Sequence, residues 1–225
     1  MSPLQPDCAR CPFKAADRLC RTPDGKAPEG CPTREEPDLA AKSLETYTSQ
    51  AETGEFARQA AIQEAAGYQH KQRGYQHVRA AKTRIEEIME FSDRMGYKRL
   101  GLAFCLGLRK EARVVAEIFL SNGFDLASAI CKAGQIPKSR INVDPGDQIV
   151  PGEAETMCNP VLQAMLLNRA QVDFNILLGL CVGHDSLFFQ HAQAPCTILA
   201  VKDRLLGHNP LACIYTADSY YRSLK

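Results

Sequence analysis

Short apolar runs alternate with amphipathic stretches over the second half of the chain, and this alternation predicts an α/β fold. Four runs have the length of strands, and they lie at 99–105, 124–131, 174–181 and 196–201. The run at 174–181 is apolar almost throughout, as expected of a parallel strand covered on both faces. Helical patterns separate the runs, at 109–121, 160–168 and 185–191, and a last helix begins at Pro210. Right-handed crossovers then predict a Rossmann-like parallel sheet of about four strands with flanking helices.

Two further segments precede this α/β domain, which the pattern places at 98–225. Residues 38–97 consist largely of good helix formers and predict helices interrupted at glycines such as Gly54, the last helix beginning at Val78. Residues 1–37 are rich in cysteine and proline and show almost no apolar periodicity. Such a segment cannot bury a core, so something other than apolar packing must order it.

Four cysteines in this first segment indicate a metal site. Cys8 and Cys11 form a C-x2-C knuckle, and Cys20 and Cys31 follow them. Four thiolates suit a tetrahedral zinc ion, and they equally suit an iron–sulfur cluster. Metal binding would supply the missing folding free energy, because the ligands come together only in the folded chain. The spacing predicts a metal centre here without selecting the metal.

Four more cysteines are predicted to meet at one edge of the sheet. Cys105, Cys131 and Cys181 each end a predicted strand. Cys158 stands just before a helix that must begin at the same edge, because the next strand starts only after that helix. Ligands scattered through a fold are more typical of iron–sulfur clusters than of zinc. The set therefore predicts a [4Fe–4S] cluster at this edge, so that the chain would hold one or two clusters.

Other polar residues are predicted at the same rim, where they would bind or tune such a centre. Lys132 and Lys202 would compensate the negative charge of a thiolate-ligated cluster. Helix N-termini following the cysteines would add positive dipole ends. His184, His208 and Asn159 would supply hydrogen bonds or a further ligand.

A rival interpretation of the same edge is nucleophilic catalysis. The sequence GLCVG at 179–183 has the G-x-C-x-G form of a nucleophile elbow between strand and helix. Cys181 would be the nucleophile and His184 one candidate for its base, in a cysteine-dependent hydrolase or amidotransferase with a structural zinc module. This interpretation leaves the other three edge cysteines unexplained. A metal carrier or sensor without catalysis is a third possibility, so whether the chain is an enzyme stays open.

Composition and charge favour a cytoplasmic protein. No apolar run approaches the ~20 residues that cross a bilayer, and the first residues lack the apolar region of a signal peptide. A net charge of +1 gives no electrostatic argument for binding nucleic acid or an anionic membrane. Ten cysteines in a reducing compartment favour metal ligands or catalytic thiols over disulfides. The expected partners are a redox partner protein or a small-molecule substrate, and the oligomeric state is open.

Several short sequences carry a resemblance to a known family: GLAFCLGLRKEA, CNPVLQA, LLGLCVGHDSLF and VKDRLLGHNP. Together with the N-terminal cysteine knuckle, they resemble a family of uncharacterised prokaryotic proteins described as predicted metal-binding. The likeness covers nearly the whole chain. It implies metal binding through cysteines, with no established reaction, and it does not choose between zinc and iron–sulfur.

Overall fold

The computed structural model describes residues 5–225, and the chain divides into two compact units. The first unit runs up to Ala66, and the second is Gly67–Lys225. The three-part division expected from composition, with boundaries after residues 37 and 97, stays a prediction.

The first unit begins with irregular chain and continues as helices. These helices are α1 (Pro32–Glu35), α2 (Pro37–Ser49) and α3 (Ala51–Ala66). Proline stands at the first position of α1 and of α2, where a helix does not use the missing N–H. No residue from 5 to 58 is buried. The cysteine-rich part of this unit therefore has no apolar core, as its composition predicts.

The predicted interruption at Gly54 is wrong, because Gly54 lies inside α3. A Cβ at this position would lie 2.3 Å from the carbonyl oxygen of Tyr47 in α2. Glycine here allows α2 and α3 to approach closely, which a scan for helix breakers cannot distinguish from a helix end.

The segment between α3 and the α/β domain differs from the predicted helix. It contains β1 (Tyr68–Gln69), β2 (Arg79–Ala80) and α4 (Arg84–Met95). Strands β1 and β2 pair antiparallel and enclose an exposed loop. Helix α4 begins at Arg84 rather than at Val78 because Thr83 forms a capping box with Glu86.

A four-stranded parallel sheet forms the centre of the second unit and confirms the predicted fold class. Its strands are β3 (Arg99–Phe104), β4 (Asp125–Ile130), β5 (Phe174–Leu178) and β6 (Cys196–Ala200). They lie in the order β4-β3-β5-β6, and every neighbouring pair is parallel. All residues of β5 are buried, Asn175 included, as its largely apolar sequence predicts.

Helices follow three of these strands and cover the sheet. They are α5 (Arg109–Ser121), α6 (Pro160–Arg169) and α7 (His184–His191), and the short α8 (Leu211–Tyr215) lies near the C-terminus. Within the part of the chain that the structure describes, no helix has the length and apolar character needed to cross a membrane. Ala164 and Leu167 of α6 pack into one core with Ala103, Leu177 and Phe188.

The strand order places a topological switch point between β3 and β5. From β3 the chain moves outward to β4, and it then returns past β3 to reach β5. In open α/β sheets, such a point opens a crevice at the carboxyl ends of the two strands, where ligands commonly bind. The candidate site is therefore expected at this end of the sheet.

Substitution of Gly101, in the centre of β3, would test how tightly the sheet packs against its neighbours. A Cβ there would lie 2.6 Å from Asn175 Oδ1 and 3.0 Å from Val172 Cγ2, both in the buried interior. Gly101→Ala should lower the free energy of unfolding by about 1–3 kcal/mol through overpacking. Urea denaturation measures the change. The matched control is Gly146→Ala, which meets no atom within 4 Å and should stay within about 0.5 kcal/mol of the parent; equal effects would contradict the packing argument.

Candidate functional site

All four cysteines of the N-terminal segment line one cavity. Its volume is about 160 Å³, and Cys8, Cys11, Cys20 and Cys31 all contribute to its wall. Cys8 and Cys11 close a tight turn, in which the Cys11 N–H donates to the Cys8 carbonyl oxygen over 3.4 Å. Cys31 precedes α1 directly as its N-cap residue. The four residues predicted to share a metal centre thus face a common space.

Two arginines hold the loops around this cavity. Arg18 donates from Nη2 to the carbonyl oxygen of Cys11 at 3.3 Å. Arg34 donates from Nη1 to Ala27 O at 3.1 Å and from Nη2 to Pro28 O at 2.8 Å. Guanidinium groups therefore connect loops that have no apolar core, and the four thiols remain free of disulfides.

At the edge of the sheet, the backbone places two cysteines side by side. The Cys105 N–H donates to Leu178 O at 3.1 Å, and the Cys131 N–H donates to Phe104 O at 2.9 Å. Both bonds continue the parallel ladder one residue past the strands. Cys158 reaches the same edge because the next residue, Asn159, donates its N–H to Cys131 O at 2.7 Å. We call Cys105, Cys131 and Cys158 the thiol trio.

Cys131 is the centre of the thiol trio. It is buried, and its side chain is a hydrogen-bond partner of both Cys105 and Cys158. These two hydrogen bonds, together with burial, raise its pKa far above the ordinary thiol value. The Leu106 N–H donates to Cys131 Sγ at 3.2 Å. Cys131 therefore keeps its proton at neutral pH.

The two outer thiols have the opposite tendency. Hydrogen bonding with Cys131 lowers the pKa of Cys105 to about 5, assisted by the Gly107 N–H and by Lys202. The same kind of bond lowers the pKa of Cys158 to about 6, assisted by the charges of Lys132 and His184. The two outer thiols therefore ionise more readily than Cys131, at a site next to lysine side chains.

Two glycines make room for the Lys202 ammonium beside Cys105, at the switch point. A Cβ on Gly107 would lie 3.6 Å from Lys202 Nζ and 3.9 Å from Cys105 Sγ. Gly179 has a φ of +67°, and a Cβ there would lie 2.1 Å from Leu108 Cδ1 and 3.7 Å from Lys202 Nζ. Both glycines therefore border the ammonium, and a side chain at Gly179 would in addition clash with Leu108.

Cys181, the fourth cysteine predicted at this edge, has a different partner. Arg204 donates from Nη2 to Cys181 Sγ at 3.0 Å. The following turn passes through the highly exposed Val182 and through Gly183, whose φ is +81°. The guanidinium thus holds the Cys181 sulfur, whereas the hydrogen bonds of Cys131 go to Cys105 and Cys158.

The two predicted histidines differ in their surroundings. His184 begins α7 and lies close enough to Cys158 for its charge to favour the thiolate. His208 has a φ of +67°, and its Nδ1 accepts the Asp203 N–H at 3.1 Å. His208 is thus used to shape the loop after β6, and only its other ring nitrogen is left for a ligand.

Asn159 and Lys132 both have structural contacts within the site. Asn159 Oδ1 accepts the Leu162 N–H at 2.9 Å and so caps α6 immediately after Cys158. Lys132 Nζ donates to the carbonyl oxygen of Thr156. Each contact fixes the chain next to one member of the thiol trio. A direct role in binding a cofactor stays a prediction for both.

The long loop between β4 and α6 contains only short 3₁₀ turns and borders the thiol trio. Lys138 pairs with Glu155 across its base, and the Met157 N–H donates to Ile136 O at 2.8 Å. A cavity of about 400 Å³ lies under the loop, lined by Leu106, Lys132, Gln135, Ile149, Glu155 and Thr156. A small molecule therefore has space next to Leu106 and Lys132, the residues that follow Cys105 and Cys131 in the chain.

Gln163 is a site residue that the sequence analysis missed. It is fully buried in α6, and its Nε2 donates to Ala129 O at 2.7 Å and to Phe104 O at 3.2 Å. These carbonyl groups belong to the ends of β4 and β3, so one amide ties together the strands that carry Cys131 and Cys105. Gln163 lies three residues after Pro160, on the buried face of α6 that also contains Ala164 and Leu167. This helical spacing is the sequence signal that could have identified it.

The cysteines lie near one another, but their side chains are not arranged as metal ligands. Among residues 5–225, no group of three or more His, Cys, Asp or Glu side chains is placed so that it could hold a metal ion.

The parallel sheet and the cysteines at its carboxyl edge define an α/β protein with a thiol-rich candidate site. The chain belongs to the family described as "Protein of unknown function (DUF1847)", whose model matches residues 31–199. The matched part includes Cys31 and all four edge cysteines. The chain is 42% identical over 184 residues to the uncharacterized protein MJ0455 of Methanocaldococcus jannaschii, covering 82% of this chain and 86% of that protein. No solved structure matches the chain.

The pKa values of the thiol trio predict an unusual pH profile of alkylation. In reduced, metal-free protein, Cys105 and Cys158 should react with iodoacetamide until the pH falls through their pKa values of about 5 and about 6. Cys131→Ala removes their shared hydrogen-bond partner and should raise both pKa values toward 9.0. Both sites would then lose reactivity already near neutral pH. Peptide mass spectrometry across a pH series gives each rate.

The control for this experiment is Cys196→Ala. Cys196 begins β6 at the opposite end of the sheet, and burial raises its pKa to about 11. Its removal should leave the profiles of Cys105 and Cys158 unchanged. Coincident profiles in the parent and the Cys131→Ala protein would show that Cys131 does not set these pKa values.

Proposed function

We propose that this protein is a cytoplasmic, cysteine-ligated metalloprotein with a redox function. An iron–sulfur cluster would be held at the carboxyl edge of the sheet by Cys105, Cys131, Cys158 and Cys181. A second metal centre, either a cluster or zinc, would be held by Cys8, Cys11, Cys20 and Cys31. The cofactor would supply reversible one-electron chemistry, and the chain would bind it, orient it and tune its potential.

The gathering of the thiol trio carries this proposal. Thiolates, not thiols, are metal ligands, and Cys105 and Cys158 have pKa values low enough to be thiolates at neutral pH. Metal binding would displace the proton that Cys131 retains. On metal binding, the cysteine side chains would rotate so that their sulfurs face the metal rather than one another. The Cys181 sulfur would leave its hydrogen bond with Arg204 and become the fourth ligand.

The surrounding charges support a centre with net negative charge. Lys202 lies beside Cys105, and Lys132 acts on Cys158. Backbone N–H groups of Leu106 and Gly107 point at two of the sulfurs. Hydrogen bonds to ligand sulfurs and nearby cations are the means by which a protein sets the potential of a cluster.

The N-terminal cavity supports a second centre on different grounds. Its four cysteines face one space, and no residue from 5 to 58 is buried to hold the loops together. In small modules of this kind, metal binding free energy becomes folding free energy. All ten cysteines are unpaired, which fits the reducing conditions of the cytoplasm.

Metal analysis of cysteine variants tests the two centres separately. Anaerobically purified parent protein should contain about eight iron and eight sulfide per chain if both centres are cubanes, or about four of each with one zinc. Cys105→Ser, Cys131→Ser and Cys158→Ser should each remove the iron and sulfide of the edge site. Cys11→Ser should remove only the N-terminal metal. Elemental analysis and the visible spectrum give both contents.

Cys196→Ser is the matched control, since it removes a cysteine of the same domain away from this edge. It should retain all metal. Colourless parent protein without sulfide would contradict the iron–sulfur assignment, and full metal content in Cys131→Ser would contradict the edge site.

Metal removal should also loosen the N-terminal segment. With metal bound, the loops held by Arg18 and Arg34 should resist trypsin; once a chelator has removed the metal, cleavage between residues 10 and 26 should be faster by at least about tenfold. Peptide mapping over time measures this. Cleavage after Lys110, on the exposed face of α5, should not change and serves as the internal control. Equal cleavage rates with and without metal would show that metal does not order the segment.

One observation favours a second candidate function, nucleophilic catalysis by Cys181. The Arg204 guanidinium contacts its sulfur, and a guanidinium favours the reactive thiolate. Its candidate bases have other contacts as well, because His208 Nδ1 accepts the Asp203 N–H and the charge of His184 acts on Cys158. Alkylation with iodoacetamide distinguishes the two functions. A hydrolase requires that Cys181 alone reacts fast, and that Cys131→Ser leaves this reaction unchanged.

A further inference from the structure

The hairpin between the first helices and the α/β domain concentrates positive charge. No aspartate or glutamate occurs from residue 65 to residue 85, whereas this stretch contains five lysines and arginines. The whole chain has a net charge of only +1, so the rest of it carries net negative charge. The near-zero net charge of the chain therefore results from a basic segment and an acidic remainder that cancel each other.

The structure presents this charge on an exposed loop. Residues 68–77 are all exposed. The loop consists of two 3₁₀ turns, Lys71–Arg73 and Tyr75–His77, joined by Gly74 with a φ of +90°. Arg79 donates to the carbonyl oxygens of Gln76 and Val78, at 3.4 and 3.0 Å, and these neutral partners leave its charge uncompensated. We call residues 68–80 the basic hairpin.

Aromatic rings and amides accompany the cations. Tyr75 is 80% exposed and Tyr68 43% exposed, so both rings are open to solvent next to the cations. Gln69 and Gln72 lie between these two tyrosines in the chain, and Gln76 follows Tyr75. Residues 68–77 contain no leucine, isoleucine, valine, methionine, phenylalanine or tryptophan, so nothing there would insert into a bilayer.

We propose that the basic hairpin binds single-stranded nucleic acid. Lys71, Arg73 and Arg79 would neutralise successive phosphates, and the rings of Tyr68 and Tyr75 would stack on unpaired bases. Stacking requires bases that are free of a duplex, and this favours single strands over double helices. The surface shares no residue with the cysteine sites, and the proposal does not depend on a metal.

The test is fluorescence anisotropy of the full-length protein with a labelled oligothymidylate of about 20 nucleotides. The parent should bind at low salt, with a slope of log affinity against log salt of about −2 for three phosphate contacts. The triple variant Lys71→Gln, Arg73→Gln and Arg79→Gln should lose nearly all of this slope and at least about tenfold in affinity. Tyr75→Ala should weaken binding roughly tenfold and leave the slope unchanged.

A second triple variant is the matched control. Lys42→Gln, Lys110→Gln and Arg169→Gln remove the same charge from exposed positions outside the basic hairpin, and this protein should bind like the parent. The proposal is overturned if the parent does not bind the oligonucleotide, or if both triple variants weaken binding equally. Binding to phosphatidylglycerol vesicles in place of the oligonucleotide would also overturn it. Equal affinity for a duplex, unchanged by Tyr75→Ala, would overturn the preference for single strands.

Discussion

The edge of this sheet depends on one buried thiol that has a thiol on either side. Cys131 is 3% exposed and interacts with both Cys105 and Cys158. Three neighbouring thiolates in a partly buried site would repel one another. The central sulfur therefore favours its protonated form, and its two neighbours ionise more readily. Lysines and backbone N–H groups stabilise the resulting negative charge. A site built to stabilise thiolates is also one that a cation can enter, because a metal would remove the repulsion that the proton only reduces.

The fold explains why these particular sulfurs meet. Parallel strands bring their carboxyl ends to one edge, and the order β4-β3-β5-β6 places the crevice beside β3, where Cys105 and Lys202 lie. The buried amide of Gln163 then joins the ends of β3 and β4 and fixes the spacing between Cys105 and Cys131. The trio therefore depends on a polar group in the core as well as on the backbone ladder, and its geometry is coupled to the packing of α6.

Much of this arrangement could be predicted from the sequence, and the exceptions have physical causes. The strands and helices of the α/β domain follow from apolar periodicity, and strand polarity alone brings Cys105, Cys131 and Cys158 to one edge. Two-residue strands such as β1 have no periodicity to detect, so the helix formers around them predict a helix where the hairpin lies. Cys181 was expected with the other three, but a turn through Gly183 and a hydrogen bond from Arg204 decide where its sulfur lies. Such long-range side-chain contacts leave no signal in a linear pattern.

The net charge of the whole chain is a poor guide to its binding partners. It sums over positions, whereas electrostatic binding depends on how charge is distributed over a surface within about a Debye length, ~10 Å. The basic hairpin lies within a stretch of twenty-one residues without a carboxylate, and ten consecutive residues of it are exposed, so its local charge differs from the total of +1. The expectation that the chain has no nucleic-acid partner rests on the total charge alone and stays a prediction, and the proposal for the basic hairpin rests instead on the local distribution of charge.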